Sequence, residues 1–463
     1  MLLAWVLACV PWTVAAGGNN AALTITVRVA AQPQISSLSV AAGPQWSQVW
    51  IYGSDFADVR GESRVVFGPG QIEAAEYLSW SDTAINCRVP KGLDLGPNNV
   101  VVIVSGLASN AAVFTVTDPS ELLVDDSNAT GTENGTARWP FSTIGEGVAA
   151  ATAGDAVKVA AGTYGETVAV ADMALSVCGG YPGGGDYAAG AGDFAEASRS
   201  VDRATNPTVI DGGGVRRCVT LDNSAGGEVS GFVLQNGAAA DHGGGIRCSG
   251  SSTAIQFCTI LACAAGQQGG GIYCTASSPA ISHTLITGNQ AGVQGGGIAC
   301  ANGSSPAIAQ STIAQNESGG IACTGSSSPT IQNTILWGSE STTGFQVLCD
   351  GSSTPSVAYS DVQGGVPPGC SDGGENLDAD PLFVLPGQRN SDGSWLQGDY
   401  HLQSVAGHWS PGGWVADAAT SPCIDMGDAT PVGPEPAPNG NWINQGAYGG
   451  TPQASKTPPT RLA

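Results

Sequence analysis

The chain has 463 residues, 68 of them glycine, and only 11% are charged. That composition, with many short apolar runs, indicates a turn-dense all-β protein with room for two or three domains rather than a compact helical enzyme. The 38 acidic residues against 15 basic ones leave a net charge of −23, which argues against nucleic acid as a partner, because phosphate binding needs a basic surface.

Met1 to Ala16 is apolar, shorter than a membrane span, and ends in small residues before Gly17-Gly18. It has the shape of a signal peptide over 1–17, although a basic leading region is missing, and it predicts a secreted or cell-surface protein. No later stretch is long enough to span a membrane as an apolar helix. Residues 18–31 hold a strand-like run, Leu23 to Val29, that reads as a linker or strand.

Residues 32–118 read as a β-sandwich. Val49-Trp50-Ile51-Tyr52 and Val100 to Val104 are β-branched runs, and the glycines and prolines between them leave room for about seven short strands. Pro33, Ile35, Leu38 and Gly43 are followed by Val49-x-Ile51-x-Gly53-x-x-Phe56 and Val65-x-Phe67-Gly68. Trp80-Ser81-Asp82-Thr83-x-Ile85, Val89-Pro90-x-Gly92 and Ser109-Asn110-x-x-x-Phe114-Thr115-Val116 complete the set. This pattern resembles the IPT/TIG family, an immunoglobulin-like fold, and the resemblance implies a spacer or interaction module rather than a catalyst. Trp80 is expected in the core, Asp82 bonded to a turn backbone, and Cys87 as a buried thiol.

Residues 119–450 are built on a repeat. Gly243-Gly-Gly-Ile-Arg-Cys248 recurs ending at Cys274 and Cys300, and in weaker form at Cys323 and Cys349, so the cysteines are 26, 26, 23 and 26 residues apart. Ile255, Ile281, Ile308, Ile331 and Val357 run in step, each followed five residues later by Ile260, Ile286, Ile313, Leu336 or Val362. Two apolar strand motifs per repeat make one coil of a solenoid. Ile-x-Cys puts both side chains on one strand face, which must look inward, and Ser-Ser-Pro and Gly-Gly-Gly clusters supply the corners. Stacking then aligns an isoleucine ladder, a cysteine ladder and an asparagine ladder through Asn289 and Asn316. Ser142 to Thr152 reads as a short helix with a serine cap that closes the open N-terminal end.

Pro140-Phe141-Ser-Thr-Ile144, Gly154-Asp155-x-Val157-x-Val159-x-x-Gly162-Thr-Tyr164-x-Glu166 and Thr208-Val-Ile-Asp-Gly-Gly213 carry a second resemblance. So do Asp380-Pro-Leu-Phe383, Asp399-Tyr-His-Leu402, Ser421-Pro-Cys-Ile-Asp425 and Gly446-Ala-Tyr-Gly-Gly450. Together they resemble the pectin-lyase-like proteins of bacterial surfaces, and the Gly-Gly-Gly-Ile coils resemble polymorphic outer-membrane-protein repeats. The resemblance implies a right-handed single-stranded parallel β-helix. It implies no single function, because the fold hosts lyases, hydrolases, adhesins and passenger domains alike.

The in-register cysteines are expected as small apolar fillers, with Cys258 and Cys263, or Cys370 with Cys349 or Cys423, as candidates for a bridge. Lyases on this fold need a cationic base and calcium carboxylates, whereas hydrolases need clustered aspartates. Between Cys218 and Gly387 the only Lys or Arg is Arg247, so a uronate-handling cleft is hard to build on the coils. The catalytic candidates are Asp211, Arg216, Arg217, Asp241, His242 and Arg247, with Arg216 or Arg217 as base. Asp211 and Asp241 would be calcium ligands there, and the alternative reading is a set of solvated loop charges. Asp125, Asp126, Asp378 and Asp380 are candidates for stabilising calcium. Trp395, Tyr400, Trp409 and Trp414 would stack on sugars or cover the end of the solenoid. The expectation is a non-catalytic β-helix protein in adhesion or carbohydrate binding, with extracellular polysaccharide or surface proteins as partners. A polysaccharide lyase or other carbohydrate-active enzyme, and a structural envelope or matrix protein, are the alternatives.

Overall fold

The structure is a computed structural model that describes residues 31–459 apart from 44–47, 75, 91–92, 118–120, 132, 136–138, 185–186, 188–204, 342 and 430–431. The expected signal peptide and the run Leu23 to Val29 lie outside the described residues. The chain divides into two compact units between 117 and 118. Among the described residues no helix is long and apolar enough to cross a membrane.

In the first unit, strands Gln34–Leu38, Gln48–Ser54, Ala84–Arg88 and Glu76–Trp80 form one sheet. A second sheet is built around Gly96–Val104, with Arg64–Phe67 and Ala112–Val116 on either side. Inward residues alternate with outward ones, so Val49, Ile51, Val65, Phe67, Ile85, Val100, Val102 and Phe114 meet between the sheets with no exposure. The Trp80 indole N–H donates to the carbonyls of Phe56 and Ala57, and Asp82 accepts from the Ala57 amide at 3.0 Å. Both residues brace one loop. Cys87 is buried, and burial pushes its thiol up to about 12.

The second unit is a parallel β-helix. One coil runs Ala254–Gln256, Thr259–Leu261, Ala264–Ala265 and Ile272–Thr275, and each strand pairs with its counterpart one coil on. Stacked coils thus share a ten-stranded, an eight-stranded and a seven-stranded sheet, with a short three-stranded one between the last two. The cysteine ladder Cys248–Cys274–Cys300–Cys323–Cys349 is in register, as is Ile246–Ile272–Ile298–Ile321–Val347. Upstream coils join in the same register, with Leu221 opposite Cys248 and Val229 opposite Ile255. These side chains form one continuous core in which each isoleucine is at most 2% exposed. A fully buried isoleucine contributes roughly 1.5–3 kcal/mol of burial.

The corners explain the glycines. In the Gly-Gly-Gly-Ile repeats the first residue, Gly243, Gly269 or Gly295, has φ near +69°. A Cβ on the second, at Gly244, Gly270 or Gly296, would collide with the carbonyl of Ala264, Gln290 or Glu317. A polar ladder lies inside a further corner. Asn289 Oδ1 accepts from the Cys263 amide at 2.9 Å, Asn316 Oδ1 accepts from the Asn289 amide at 3.0 Å, and Ser339 Oγ accepts from the Asn316 amide at 3.2 Å.

The N-terminal helix is Ile144–Ala150, and its cap is Thr143 rather than the expected Ser142. Thr143 and Glu146 form a capping box, and Glu166 accepts from the amides of Ile144 and Gly145 at 2.8 Å each. Ile144 and Val148 pack into the core of the first coils.

The C-terminal segment corrects two expectations. Trp395 and Tyr400 cover the side of the solenoid, not its end, and the inward face is not the only apolar one. The eight-stranded sheet also presents Leu285, Ala314 and Ile335 outward, where Phe383, Tyr400, Leu402, Ile424 and Ala447 bury them. Trp395 seats against Gly288, where a Cβ would strike the indole. Tyr400 donates to Gln315 at 2.6 Å, and Arg389 pairs with Glu317 at 2.6 Å. The segment is a strap across the eight-stranded sheet.

Candidate functional site

The outer row of the seven-stranded sheet runs Thr220, Arg247, Tyr273, Ala299, Ala322 and Leu348, since these residues are in register from coil to coil. Loops entering the first two of these coils carry Arg217 and Asp241-His242. The structure therefore assembles Arg217, Asp241, His242 and Arg247, and adds Asp222 and Tyr273. Arg217 donates to Asp241 at 2.6 Å, to the His242 carbonyl at 2.7 Å and, through Nε, to the Gly243 carbonyl at 2.7 Å. Arg247 grips both Asp222 oxygens at 2.9 and 3.0 Å, and its other Nη lies 4.0 Å from Asp241. His242 accepts from the Gln268 amide through Nδ1 and stacks on Tyr273 with centroids 4.3 Å apart.

Asp211 lies elsewhere, at the end of Thr208–Asp211 in the eight-stranded sheet. Burial opposes its charge, but Gln235, the Gly213 amide and Asn236 donate to it and hold the carboxyl below its usual range. Arg216 adds its positive charge there and donates to the Gly165 carbonyl. Burial opposes ionisation of Asp241 as well, but the Arg217 guanidinium and backbone amides together hold its carboxyl below its usual range. These charges are thus spent on pinning loops to neighbouring coils. A lyase base would need a nitrogen directed at substrate, whereas Arg217 directs Nε and one Nη to the Gly243 and His242 carbonyls and to Asp241.

The calcium candidates are dispersed. Asp125 is 2% exposed and accepts from Ser127, Gly184 and Tyr187. Asp126 accepts from the Thr163 amide, Asp378 from Gly364, and Asp380 from Leu382. Among the described residues no three His, Cys, Asp or Glu side chains gather so as to hold a metal ion.

A different place has the shape of a ligand site. Tyr359, Glu375, Asp425, Met426, Gly427 and Trp442 line an open cleft of about 330 Å³. Tyr359 is the single left-handed corner residue, at φ 50°, between Ser356–Ala358 and Asp361–Val362, so its ring leaves the solenoid at an edge. Glu375 and Asp425 are also left-handed, at φ 56° and 57°. The strap supplies the other wall: Gln445 donates to the carbonyls of Tyr359 and Met426 at 2.8 and 3.0 Å. Asp425 accepts from Gly440 and Thr457, and Trp442 stays 45% exposed. Behind the cleft Glu435 is 6% exposed. Burial raises its carboxyl to about 7, although the amides of Asn444 and Gly450 donate to it. Two aromatic faces and the exposed Glu375 carboxylate in one cleft suit a ligand with apolar C–H faces and many hydroxyls.

Sequence reasoning missed this cleft because its walls are far apart in the chain; the exposed Trp442 beside a glycine-rich strap was the available signal. Of the four aromatic residues expected to meet sugars or cover the solenoid, Tyr400 is fully buried and Trp395 lies on Gly288. Trp409 stands 5.4 Å from His401, and Trp414 carries Lys456 over its ring at 4.3 Å.

Comparison with known proteins gives three family matches. A model described as IPT/TIG domain matches residues 33–116, one described as a protein of unknown function (DUF1565) matches 126–328, and one described as disaggregatase related matches 331–427. No curated protein matches the chain. A protein of unknown function from Bacteroides thetaiotaomicron VPI-5482 is 18% identical over 21% of this chain and 26% of its own, with a TM-score of 0.18. The gamma-CGTase from alkalophilic Bacillus clarkii is 27% identical over 22% of this chain and 15% of its own, with a TM-score of 0.17. The pectate lyase Pel9A is 12% identical over 72% of this chain and 96% of its own, with a TM-score of 0.37. The chain thus spans about a quarter or less of the length of the first two structures.

Proposed function

For a chain that carries an IPT/TIG domain ahead of a pectin-lyase-like parallel β-helix, we propose a secreted or cell-surface protein that binds extended carbohydrate without turning it over. The observation that carries this reading is the cleft in which the exposed Trp442 and the half-buried Tyr359 stand beside the exposed Glu375. Aromatic faces stack on the C–H side of a sugar ring, and carboxylates accept from its hydroxyls. Tyr359 directly follows Ser356–Ala358 of the ten-stranded sheet. That sheet's outer positions, such as Ala280, Ala307, Thr330 and Gln332, are exposed along successive coils. A chain seated in the cleft can continue along this face, and the IPT/TIG domain serves as a spacer or protein contact.

The test is a panel of polysaccharides, with and without calcium, read by retention on immobilised glycan, by reducing ends and by unsaturated-uronide absorbance. Retention of at least one glycan is expected, with Trp442→Ala weakening it about tenfold or more, the loss of roughly 1.4 kcal/mol or more of stacking. Turnover without lasting retention would overturn this reading. The second reading is a carbohydrate-active enzyme, favoured by the exposed Glu375 carboxylate in the cleft beside Asp425, since glycoside hydrolysis uses a carboxylate pair. Release of reducing ends that disappears in Glu375→Gln and in Asp425→Asn would establish it.

A further inference from the structure

The cysteine ladder ends differently from the way it runs. Cys248, Cys274, Cys300 and Cys323 are buried, whereas Cys349 and Cys370 are partly exposed. Cys349 closes Val347–Cys349, the last strand of the seven-stranded sheet. Cys370 belongs to no strand. Its amide turns back to the Pro367 carbonyl at 3.1 Å, and its side chain packs with Val366 against the end of the core. There the two sulfurs lie 3.4 Å apart. The other expected bridges do not form in this arrangement. The Cys258 and Cys263 thiols point to the carbonyls of Gln256 and Leu261, and Cys423 points to Asp361.

We propose that Cys349 and Cys370 are a redox pair that closes into a disulfide and locks the C-terminal end of the solenoid. Geometry selects this pair over Cys323–Cys349. In-register parallel strands hold their Cβ atoms near the ~4.8 Å strand spacing, wider than the ~3.8 Å of a disulfide. Cys370, free of the ladder, can approach to bonding distance. Exposure selects it as well, because an oxidant reaches only the end of the ladder. The S–H groups of Cys323 and Cys370 point to the Cys349 sulfur and pull its thiol below its ordinary range, which favours Cys349 as the attacking thiolate.

With a small-molecule disulfide as oxidant, the Cys349 thiolate attacks one of its sulfurs and expels the other as thiolate. The Cys370 thiolate then attacks the Cys349 sulfur of the mixed disulfide and expels the second thiolate. The protein loses two protons and two electrons, and the oxidant is reduced to two thiols.

The experiment uses the full chain, first reduced, then freed of reductant and equilibrated with glutathione disulfide. The remaining thiols are alkylated in urea without reductant, and the protein is digested at Asp and Glu. Cleavage at Glu340, Asp350 and Asp361 separates Cys323, Cys349 and Cys370 into different peptides. The expected result is a Cys349 peptide joined to a Cys370 peptide, with Cys323 alkylated. In Cys349→Ser the joined species disappears and Cys370 is alkylated. Native digestion between 350 and 370 should also be several-fold slower for the oxidised protein. Alkylation of both cysteines after exposure to the oxidant, or a bridge from Cys349 to Cys323, would overturn the proposal.

Discussion

The ten-stranded and eight-stranded sheets are cut from the same coils, yet their outer faces differ. Both send one large aliphatic side chain inward from each repeat, isoleucine in most and Leu336, Val357 or Val362 in the last ones. In the ten-stranded sheet the flanking positions are Ala280 and Ser282, Ala307 and Ala309, or Thr330 and Gln332, and the strands alternate between exposed and buried. In the eight-stranded sheet they are Leu285 and Thr287, Thr312 and Ala314, or Ile335 and Trp337, and the first two strands are buried at all three positions. Alternation marks a strand with one wet face, and its loss marks a strand with a second layer upon it. Here that layer is the strap, which has no repeat of its own.

The difference can be tested by substitution. Tyr400→Ala removes a fully buried ring at the centre of the strap and its bond to Gln315. It should destabilise the second unit by about 3–5 kcal/mol in chemical denaturation. Thr330→Ala on the ten-stranded sheet should change stability by no more than about 0.5 kcal/mol. Equal effects would dissolve the distinction between the two faces. Asn316→Ala leaves the amide of Asn289 without its acceptor inside the corner. About 2 kcal/mol is expected from the same measurement.

Glu435 makes the strap sensitive to pH. Its folded carboxyl is raised to about 7 from an ordinary 4.5, so the folded state holds a proton that the unfolded state releases. The associated stability is fully present below 4.5 and is lost as pH rises to about 7. Asp361, raised to about 6 by burial, acts with the same sign from 3.8 upwards. Unfolding midpoints should therefore fall from pH 5 to pH 8 by the equivalent of about 2 kcal/mol for Glu435. Glu435→Gln should remove that share of the slope. A smaller effect is expected at the charged cluster, where Arg217→Ala should cost about 1 kcal/mol through the loop it pins.

The solenoid was legible in the sequence because in-register parallel strands repeat their inward residues at the spacing of a coil. The isoleucine and cysteine ladders, and Asn289 with Asn316, follow from that alone. Arg217, Asp241, His242 and Arg247 were also legible as neighbours, being one coil apart on a single sheet. Asp211 was misplaced because the same spacing does not say which sheet a loop residue joins. The strap and the cleft were hidden for one reason. Trp442 and Asp425 reach Tyr359 only after the chain has doubled back along the solenoid, and no periodicity records that return. Trp395 and Tyr400 looked like an end cover because an apolar patch on the outside of one sheet was not anticipated.

A bare solenoid could gain or lose one coil with little penalty, since each added turn repeats the contacts of the last. The strap forbids that freedom. Arg389 bonds the Gly288 carbonyl, Tyr400 bonds Gln315, Gly446 bonds the Asn333 carbonyl and Gln445 bonds that of Tyr359, so fixed points along the strap answer to successive coils. Removing a coil would put every later attachment out of step by one strand spacing. The strap is a ruler, and it sets the height of the coils from Gly288 to Tyr359.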